Sequence, residues 1–462
     1  MTLIKSISGI RGTIGGKVGE NLTPLDAVKF AAAYGMWLKN NTSKKDVSVI
    51  LGRDARISGK LVSGLVGNTL ISLGIKVVDI GLSTTPTVEV AVQLDEADGG
   101  IIITASHNPK QWNALKLLNN KGEFLNAADG EEVLKIAENE SFDFVEVDDL
   151  GVFRKKQHYI NRHISEVLKL NLVDVEAIKN AKFKVVVDAV NSTGGIAIPA
   201  LLEKLGVECV ALYCEPNGEF PHNPEPLKEH LTDISELVVK EKADLGIVVD
   251  PDVDRLALIC EDGTMFGEEY TLVACADYVL GKTKGNTVSN LSSSRALKDI
   301  TEKHGGNYKA SAVGEVNVVE QMKATKAVIG GEGNGGIIYP ESHYGRDSLV
   351  GVALFLSHLA QSKISCKALR NMYPDYFMSK NKIQLTPDVN VDDVLAKMTL
   401  KYKNEDVITI DGVKINFEKE WVHLRKSNTE PIIRIYTEST SQNNADELAE
   451  RFIKEIKSII IN

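Results

Sequence analysis

The sequence predicts an α/β protein: three similar α/β domains with mixed, mostly parallel sheets, then a smaller α+β domain, arranged around a central cleft. Three observations carry that expectation. A unit of short apolar strand, Gly/Ser/Asn/Asp-rich turn and helix-like stretch recurs along the chain. The strand runs are continuous in Val, Ile and Leu, as strands covered on both faces of a parallel sheet require. After about residue 370 the pattern changes to strands around a loop and a closing helix. At roughly 150 residues per domain, a chain of 462 residues is multidomain.

The strand candidates fall in threes: Val47 to Leu51, Ile75 to Ile80 and Gly100 to Ile103; Phe183 to Val187, Val207 to Leu212 and Leu245 to Val249; Thr287 to Leu291, Tyr308 to Val313 and Ala327 to Ile329. Helices intervene, such as Leu61 to Leu73, with Leu61, Leu65, Val66 and Leu70 on one side. Thr23-Pro24-Leu25-Asp26 combines a cap, a first-turn proline and an acidic residue three after the cap, and so starts a helix. Near the end, VKINFEKEWVHLRKSNTEPIIRIYTES reads as strands, and Asn444 to Ile460 is an amphipathic helix with Leu448, Phe452, Ile456 and Ile459. The expected divisions are residues 1–150, 151–255, 256–370 and 371–462.

Hydrophobic residues make up 43% and charged residues 25%, ordinary usage for a chain that folds throughout. The net charge of -10 argues against nucleic acid or an anionic membrane as partner, and leaves room for a small anion where arginines converge. No apolar run approaches the roughly 20 residues that span a bilayer, and MTLIKSISGIRG has no signal-peptide core, so the expected location is the cytoplasm. Five scattered cysteines without a C-x-x-C pair (Cys209, Cys214, Cys260, Cys275, Cys366) are expected to be reduced and buried.

Ligands of open α/β sheets collect beyond the carboxyl ends of strands, so the loops there are the candidate sites. LGIVVDPDVDR closes a buried run with Asp250, Asp252 and Asp254, hard oxygen ligands at two-residue spacing that suit Mg²⁺ shared with a phosphate. An EF-hand calcium loop starting at Asp250 would place Glu261 at position 12, but its obligatory glycine at position 6 is Arg255 and the preceding segment is a strand. A solvated acidic turn is the plainer alternative. AVIGGEGNGGIIYP sets Glu332 and Asn334 among glycines, an exposed carboxylate and amide suited to sugar hydroxyls, or else a glycine-rich hairpin with no ligand. It is no dinucleotide fingerprint, since G-x-G-x-x-G is missing. LRKSNTEPIIRIY gathers Arg425, Lys426, Ser427, Asn428, Thr429 and Arg434 as a cradle for a phosphate dianion, with Glu430 orienting an arginine, or else forms a charge-paired surface turn.

ITASHNP places Ser106 beside His107 after the third strand. Neighbours on an extended chain point to opposite sides, so His107 is poorly placed as a base for Ser106, and no G-x-S-x-G elbow surrounds it. Near a metal and a phosphate cradle, the serine is suited to carry a phosphoryl group. Asn108-Pro109 is expected to hold this loop extended.

Taken together, TASHNP, DPDVDR, the GE-x-x-G-G loop and RKSNTEP occur once per domain, and the chain closely resembles the α-D-phosphohexomutase superfamily over essentially its whole length. The resemblance implies a phosphoserine at Ser106, which gives its phosphoryl to a sugar monophosphate and takes one back from the sugar 1,6-bisphosphate that serves as intermediate and activator. It implies one Mg²⁺ per chain on Asp250, Asp252, Asp254 and the Ser106 phosphate. It places Arg255 beside the transferring group, Lys116 in proton transfer, and His107 and Arg11 around the phosphoserine. Glu332 and Asn334 hold the sugar; Arg425, Ser427, Asn428, Thr429 and Arg434 hold the distal phosphate. The four domains become phosphoserine, metal-binding, sugar-binding and phosphate-binding units, in a monomer or homodimer acting on sugar phosphates.

Two departures bear on substrate. Many members carry GE-x-SGH where this chain has Asn334 and Gly336, and the glycine common two residues before the lysine is Ala114. GEGNGG followed by HYGRD looks like the archaeal-type branch, which points to glucosamine phosphate ahead of mannose or glucose phosphate, with His343 a candidate to replace the missing loop histidine. A sugar phosphatase would use the same aspartates but needs an aspartyl nucleophile pattern the chain lacks, and a sugar-phosphate sensor would need no Ser106.

Overall fold

Every one of the nine apolar runs forms a strand in the computed structural model, which describes residues 2–6, 9–386, 389–426 and 432–461. In the first domain Lys76–Leu82, Ser48–Arg53 and Gly99–Ile103 lie side by side in parallel, and Trp112–Leu118 returns antiparallel against the last. The second domain repeats the arrangement with Glu208–Leu212, Lys184–Asp188 and Leu245–Val249 parallel and Leu256–Cys260 returning. The third does so again with Tyr308–Ser311, Asn286–Asn290 and Ala327–Glu332, and Gly336–Ile338 returning. One spatial order, second, first, third, fourth, thus serves three times.

This repetition positions the site. The connection from third strand to antiparallel fourth strand carries Ser106 in the first domain, Asp250 to Asp254 in the second, and Asn334, just beyond Glu332 at its strand end, in the third. The loops singled out by their chemistry are therefore the same structural position in three copies of one unit, at the carboxyl ends where ligands gather.

The sheets run slightly past the expected divisions. Phe153–Lys155 pairs with Lys76–Leu82 on one edge of the first sheet, while Ile4–Ser6 and Gly9–Thr13 extend the other. Leu256–Cys260 belongs to the second sheet, so divisions that follow the sheets fall after Lys155 and Cys260, a few residues beyond 150 and 255.

Helices cover both faces of these sheets for the reasons the sequence gives. Thr23 and Asp26 form the capping box that opens Pro24–Asn40. Helices Glu268–Lys282 and Ser348–Ser362 are apolar around most of their circumference because they bury Val273, Val279, Leu354 and Phe355 in one cluster with Val187, Ile247 and Leu258 of the second sheet. The second and third domains consequently share a core. The fourth domain is an antiparallel sheet in the order Phe377–Gln384, Ile432–Ser439, Trp421–Lys426, Val413–Asn416, Asp406–Ile408. Helix Gln442–Ile461 buries Leu448, Phe452 and Ile456 against it, as the amphipathic pattern requires. The fourth-domain sheet docks on the third domain through the Lys414 ammonium, which donates to the Leu291 carbonyl at 2.8 Å, and through Glu438, which accepts from Arg295 N at 3.0 Å. The five cysteines are free; Cys260, Cys275 and Cys366 are buried and Cys209 and Cys214 are half-buried. Among the described residues, no helix is long and apolar enough to cross a membrane.

Candidate active site

The loop after Gly99–Ile103 is a turn, not the extended segment expected from Asn108-Pro109. Ser106 sits at φ +48°, in the left-handed region, and its N–H donates to Thr104 Oγ1 at 3.0 Å. The left-handed backbone brings neighbouring side chains to one side, which corrects the expectation that Ser106 and His107 diverge: Oγ is 3.3 Å from His107 Nδ1. The closer partner is Asp250, whose Oδ2 accepts the serine hydroxyl at 2.6 Å. Burial, then the charges of Arg255 and Arg11, push the His107 imidazole well below its usual range, so it is neutral at neutral pH.

What holds the turn is Arg56, which lies in LGRDARISG after the first strand and carried no expectation. Its side chain is fully buried. It donates to the carbonyls of Ser106, Asn108 (2.6 Å), Pro109 (2.7 Å) and Trp112 (3.1 Å), and to Asp54 Oδ2 at 2.9 Å. A planar fork of five donors is the one side chain that can satisfy this many converging acceptors. Arg11, on the neighbouring strand Gly9–Thr13 and opposite Ala114, donates to the Asn108 side chain at 3.0 Å.

The three aspartates meet this turn from the second domain, each completely buried. Asp250 Oδ1 accepts from the N–H groups of Asp254 (3.1 Å) and Arg255 (3.2 Å), closing a turn in which Val253 is held at φ +66°, a strained conformation for a β-branched residue. Asp252 Oδ2 accepts from Thr85 Oγ1 and from the Lys116 ammonium, both at 2.6 Å. Asp254 Oδ2 accepts from Lys116 at 3.2 Å and from Arg346 at 2.7 Å. Burial, joined by the charges of Asp252 and Asp254, holds the Asp250 carboxyl well above the ordinary carboxylate range. Burial alone would raise Asp252 too, but Lys116 and Thr85 outweigh it and keep that group ionised. The same two carboxylates overcome the burial of Lys116 and hold its ammonium above its usual range.

The donor set fits Mg²⁺. One carboxylate oxygen from each of the three aspartates lies within 4.8 Å of the other two. Asp252 Oδ1 and Asp254 Oδ1 are buried without a hydrogen-bond partner. An orphaned buried carboxylate oxygen is costly, and hard oxygens converging in this way are what a hard divalent cation binds.

A second group of potential ligands, His163, His343 and Asp347, is buried where the first three domains meet. There Asp347 Oδ2 is 2.8 Å from His163 Nε2 and 3.1 Å from His343 Nε2, distances at which one carboxylate oxygen accepts two N–H bonds. His343 is thereby held by Asp347, with Glu89 3.3 Å from its Nδ1, and is not among the residues lining the cavity around Ser106, where a replacement for the loop histidine was expected.

The sugar-loop candidate also differs from expectation, for Glu332 is buried, not exposed. Its Oε1 accepts from Asn290 at 2.9 Å and its Oε2 from Arg346 at 2.9 Å. The glycines around it exist for close packing: a Cβ on Gly335 would stand 2.2 Å from the Leu256 carbonyl oxygen, and one on Gly333 would overlap Glu269. Asn334 Oδ1 accepts from Gly336 N at 3.2 Å within its own turn.

These loops enclose a cavity of 470 Å³ whose lining includes Arg11, Ser106, His107, Lys116, Arg255, Glu332, Asn334 and Arg346. Arg255 donates to Glu225 at 3.0 Å, and its Nε is buried without a partner. From the fourth domain, Arg425 is paired with Asp411 at 2.9 Å and faces Arg434 across the sheet; neither lines this cavity. Ser427, Asn428, Thr429 and Glu430 lie outside the described residues.

A buried serine against three aspartates, ringed by cations, is an arrangement for phosphoryl chemistry, and comparison with known proteins agrees. Four family models cover the chain in order: phosphoglucomutase/phosphomannomutase α/β/α domain I over residues 3–144, domain II over 158–263, domain III over 267–376 and the C-terminal domain over 381–455. The chain belongs to the phosphoglucomutase/phosphomannomutase family. A phosphoglucomutase/phosphomannomutase of Thermococcus kodakarensis is 36% identical over 96% of this chain and 97% of its own length. A phosphoglucosamine/phosphogalactosamine mutase of Sulfurisphaera tokodaii is 32% identical over 98% of each. The crystal structure of a family protein from Burkholderia thailandensis superposes with a TM-score of 0.83 at 26% identity over 98% of each chain. The phosphohexomutase is thus an isomerase that transfers phosphate intramolecularly, with a group of aspartates that could hold its metal.

Proposed function

We propose that this phosphohexomutase interconverts the 6-phosphate and 1-phosphate of an aldohexose through a phosphoserine at Ser106 and a sugar 1,6-bisphosphate, with glucosamine phosphate as preferred substrate. The observation that supports it most is the Ser106 hydroxyl, 2.6 Å from Asp250 and at the edge of a cavity lined by Arg11, Lys116, Arg255 and Arg346.

In the first transfer the bond from Ser106 Oγ to phosphorus breaks, the free sugar hydroxyl oxygen bonds to the phosphorus, and the hydroxyl proton leaves through neighbouring groups. In the second, the bisphosphate presents its other end and Ser106 takes that phosphoryl back. Arg56 fixes the serine for both steps by holding four carbonyls of its turn. Lys116, kept as the ammonium between Asp252 and Asp254, gives a proton to the departing Ser106 oxygen, and the proton released by the sugar hydroxyl restores it. Arg255, with an unpaired Nε–H, and Arg11 offset charge on the phosphoryl oxygens. Mg²⁺ on Asp250, Asp252 and Asp254 would supply further positive charge to the phosphoryl group. The distal phosphate is assigned to Arg425, Ser427, Asn428, Thr429 and Arg434.

Glucosamine is favoured by the GEGNGG loop and by the name of the Sulfurisphaera relative; mannose or glucose phosphate, favoured by the name of the Thermococcus relative, is the second reading. Coupled assays on glucosamine, mannose and glucose 6-phosphates separate them. The highest kcat/KM is expected on glucosamine 6-phosphate, and a value far below that for either other sugar overturns the preference.

A further inference from the structure

One guanidinium joins the second-domain and third-domain halves of the cavity. Arg346 Nε donates to Glu315 at 2.9 Å, one terminal nitrogen donates to Glu332 at 2.9 Å, and the other donates to Asp254 at 2.7 Å. Its backbone is fixed as well: Arg346 N donates to Glu315 Oε1 at 3.0 Å, Ile338 bridges to it, and the next residue, Asp347, caps helix Ser348–Ser362. Asp254 belongs to the aspartate turn and Glu332 to the glycine loop, so the rigid fork sets the separation between a carboxylate of the aspartate group and the Glu332 carboxylate that lines the cavity.

The stem of this arginine occupies the space of a side chain at position 336. A Cβ on Gly336 would stand 2.3 Å from Arg346 Cδ and 3.1 Å from Cγ. Gly336 is not among the glycines with positive φ, so its backbone would accept an alanine. Its remaining close neighbour, Asn334 Oδ1 at 3.1 Å, is tighter than a normal Cβ contact and needs to give by only a few tenths of an ångström. The obstacle is therefore the Arg346 stem, which cannot swing away while its tip is held by three carboxylates.

We propose that Arg346 is a positioning residue of the sugar site, orienting Glu332 toward the substrate hydroxyls and locking the glycine loop to the aspartate turn, and that Gly336 serves it by leaving its stem room. This rests on the reading of the cavity as a sugar-phosphate site. Its mark is non-additivity: both substitutions damage the same element, so the second has nothing left to damage.

The test is a double-mutant cycle of Arg346→Ala and Gly336→Ala, read as kcat and KM on glucosamine 6-phosphate, or on the best of the three sugars, together with thermal midpoints. Each single variant is expected to raise KM by about tenfold or more, the worth of one charge-assisted hydrogen bond, with a smaller change in kcat. The double variant matches Arg346→Ala, and Arg346→Lys does not rescue. Wild-type KM in Gly336→Ala, or a double variant whose loss is the product of the two singles, overturns the proposal. If wild-type protein turns over none of the sugar phosphates, the mutase reading fails instead. The midpoints then decide: Gly336→Ala lowers the midpoint only when Arg346 is present, and an equal drop in both backgrounds overturns the coupling.

Discussion

Ser106→Ala is expected to lower turnover of the preferred sugar phosphate by at least about a thousandfold while leaving the protein folded, because on the proposed mechanism it removes the atom that carries the phosphoryl group between the two ends of the sugar. The structural loss is small by comparison. The hydroxyl makes one close hydrogen bond, to Asp250, and a single such bond contributes about 1 kcal/mol. Lys116 cannot take over the role, because its ammonium is committed to Asp252 and Asp254. Steady-state rates with circular dichroism and a thermal melt check both halves. A folded Ser106→Ala protein within tenfold of wild-type activity would remove Ser106 from the reaction.

Arg56→Ala is expected to damage both stability and activity, although Arg56 does not line the cavity around Ser106. Removing it leaves the buried Asp54 carboxylate without its cation and takes a donor from each of four carbonyl oxygens. Breaking a buried charged pair from one side costs about 3–5 kcal/mol, a large part of a typical stability of about 5–15 kcal/mol. The turn that presents Ser106 at φ +48° loses its main restraint, and a displacement of about 1 Å at a reacting group costs roughly a hundredfold in rate. Arg56→Lys is expected to restore little, since one ammonium cannot reach acceptors spread around a planar fork. Denaturant titration and kcat measure the two effects; a variant within a few-fold of wild type in rate would show that the turn holds itself.

The parallel strands were legible because continuous apolar runs report burial on both faces, and their ends were less so for a related reason. Ladder hydrogen bonds continue through Arg53, Asp188 and Glu332, polar residues placed where the strand opens onto the site, so the strands outrun their hydrophobicity. The return strand Trp112–Leu118 stayed hidden for the same cause, since Lys116 interrupts it at the point where it meets Asp252, whereas Leu256–Cys260 is an unbroken apolar run that could have been read. Ser106 and the aspartates stood out by residue type directly after strands. Arg56 and Arg346 did not, because their partners are carbonyls and carboxylates brought near only by folding, as with Arg346 and Asp254, which are 92 positions apart. Arg56 could have been found, since it lies in a loop after a parallel strand like the others. Gly336, a bare departure from the family loop in the sequence, acquires its reason only beside the Arg346 stem.

The most direct test of the central claim is to incubate the wild-type protein with glucose 1,6-bisphosphate and locate the transferred phosphoryl group by peptide mass spectrometry. The account predicts about 80 Da of added mass on the peptide holding Ser106, lost again when a sugar monophosphate is supplied. A phosphoryl group on any other residue, or none on protein that turns over sugar phosphates, would contradict it.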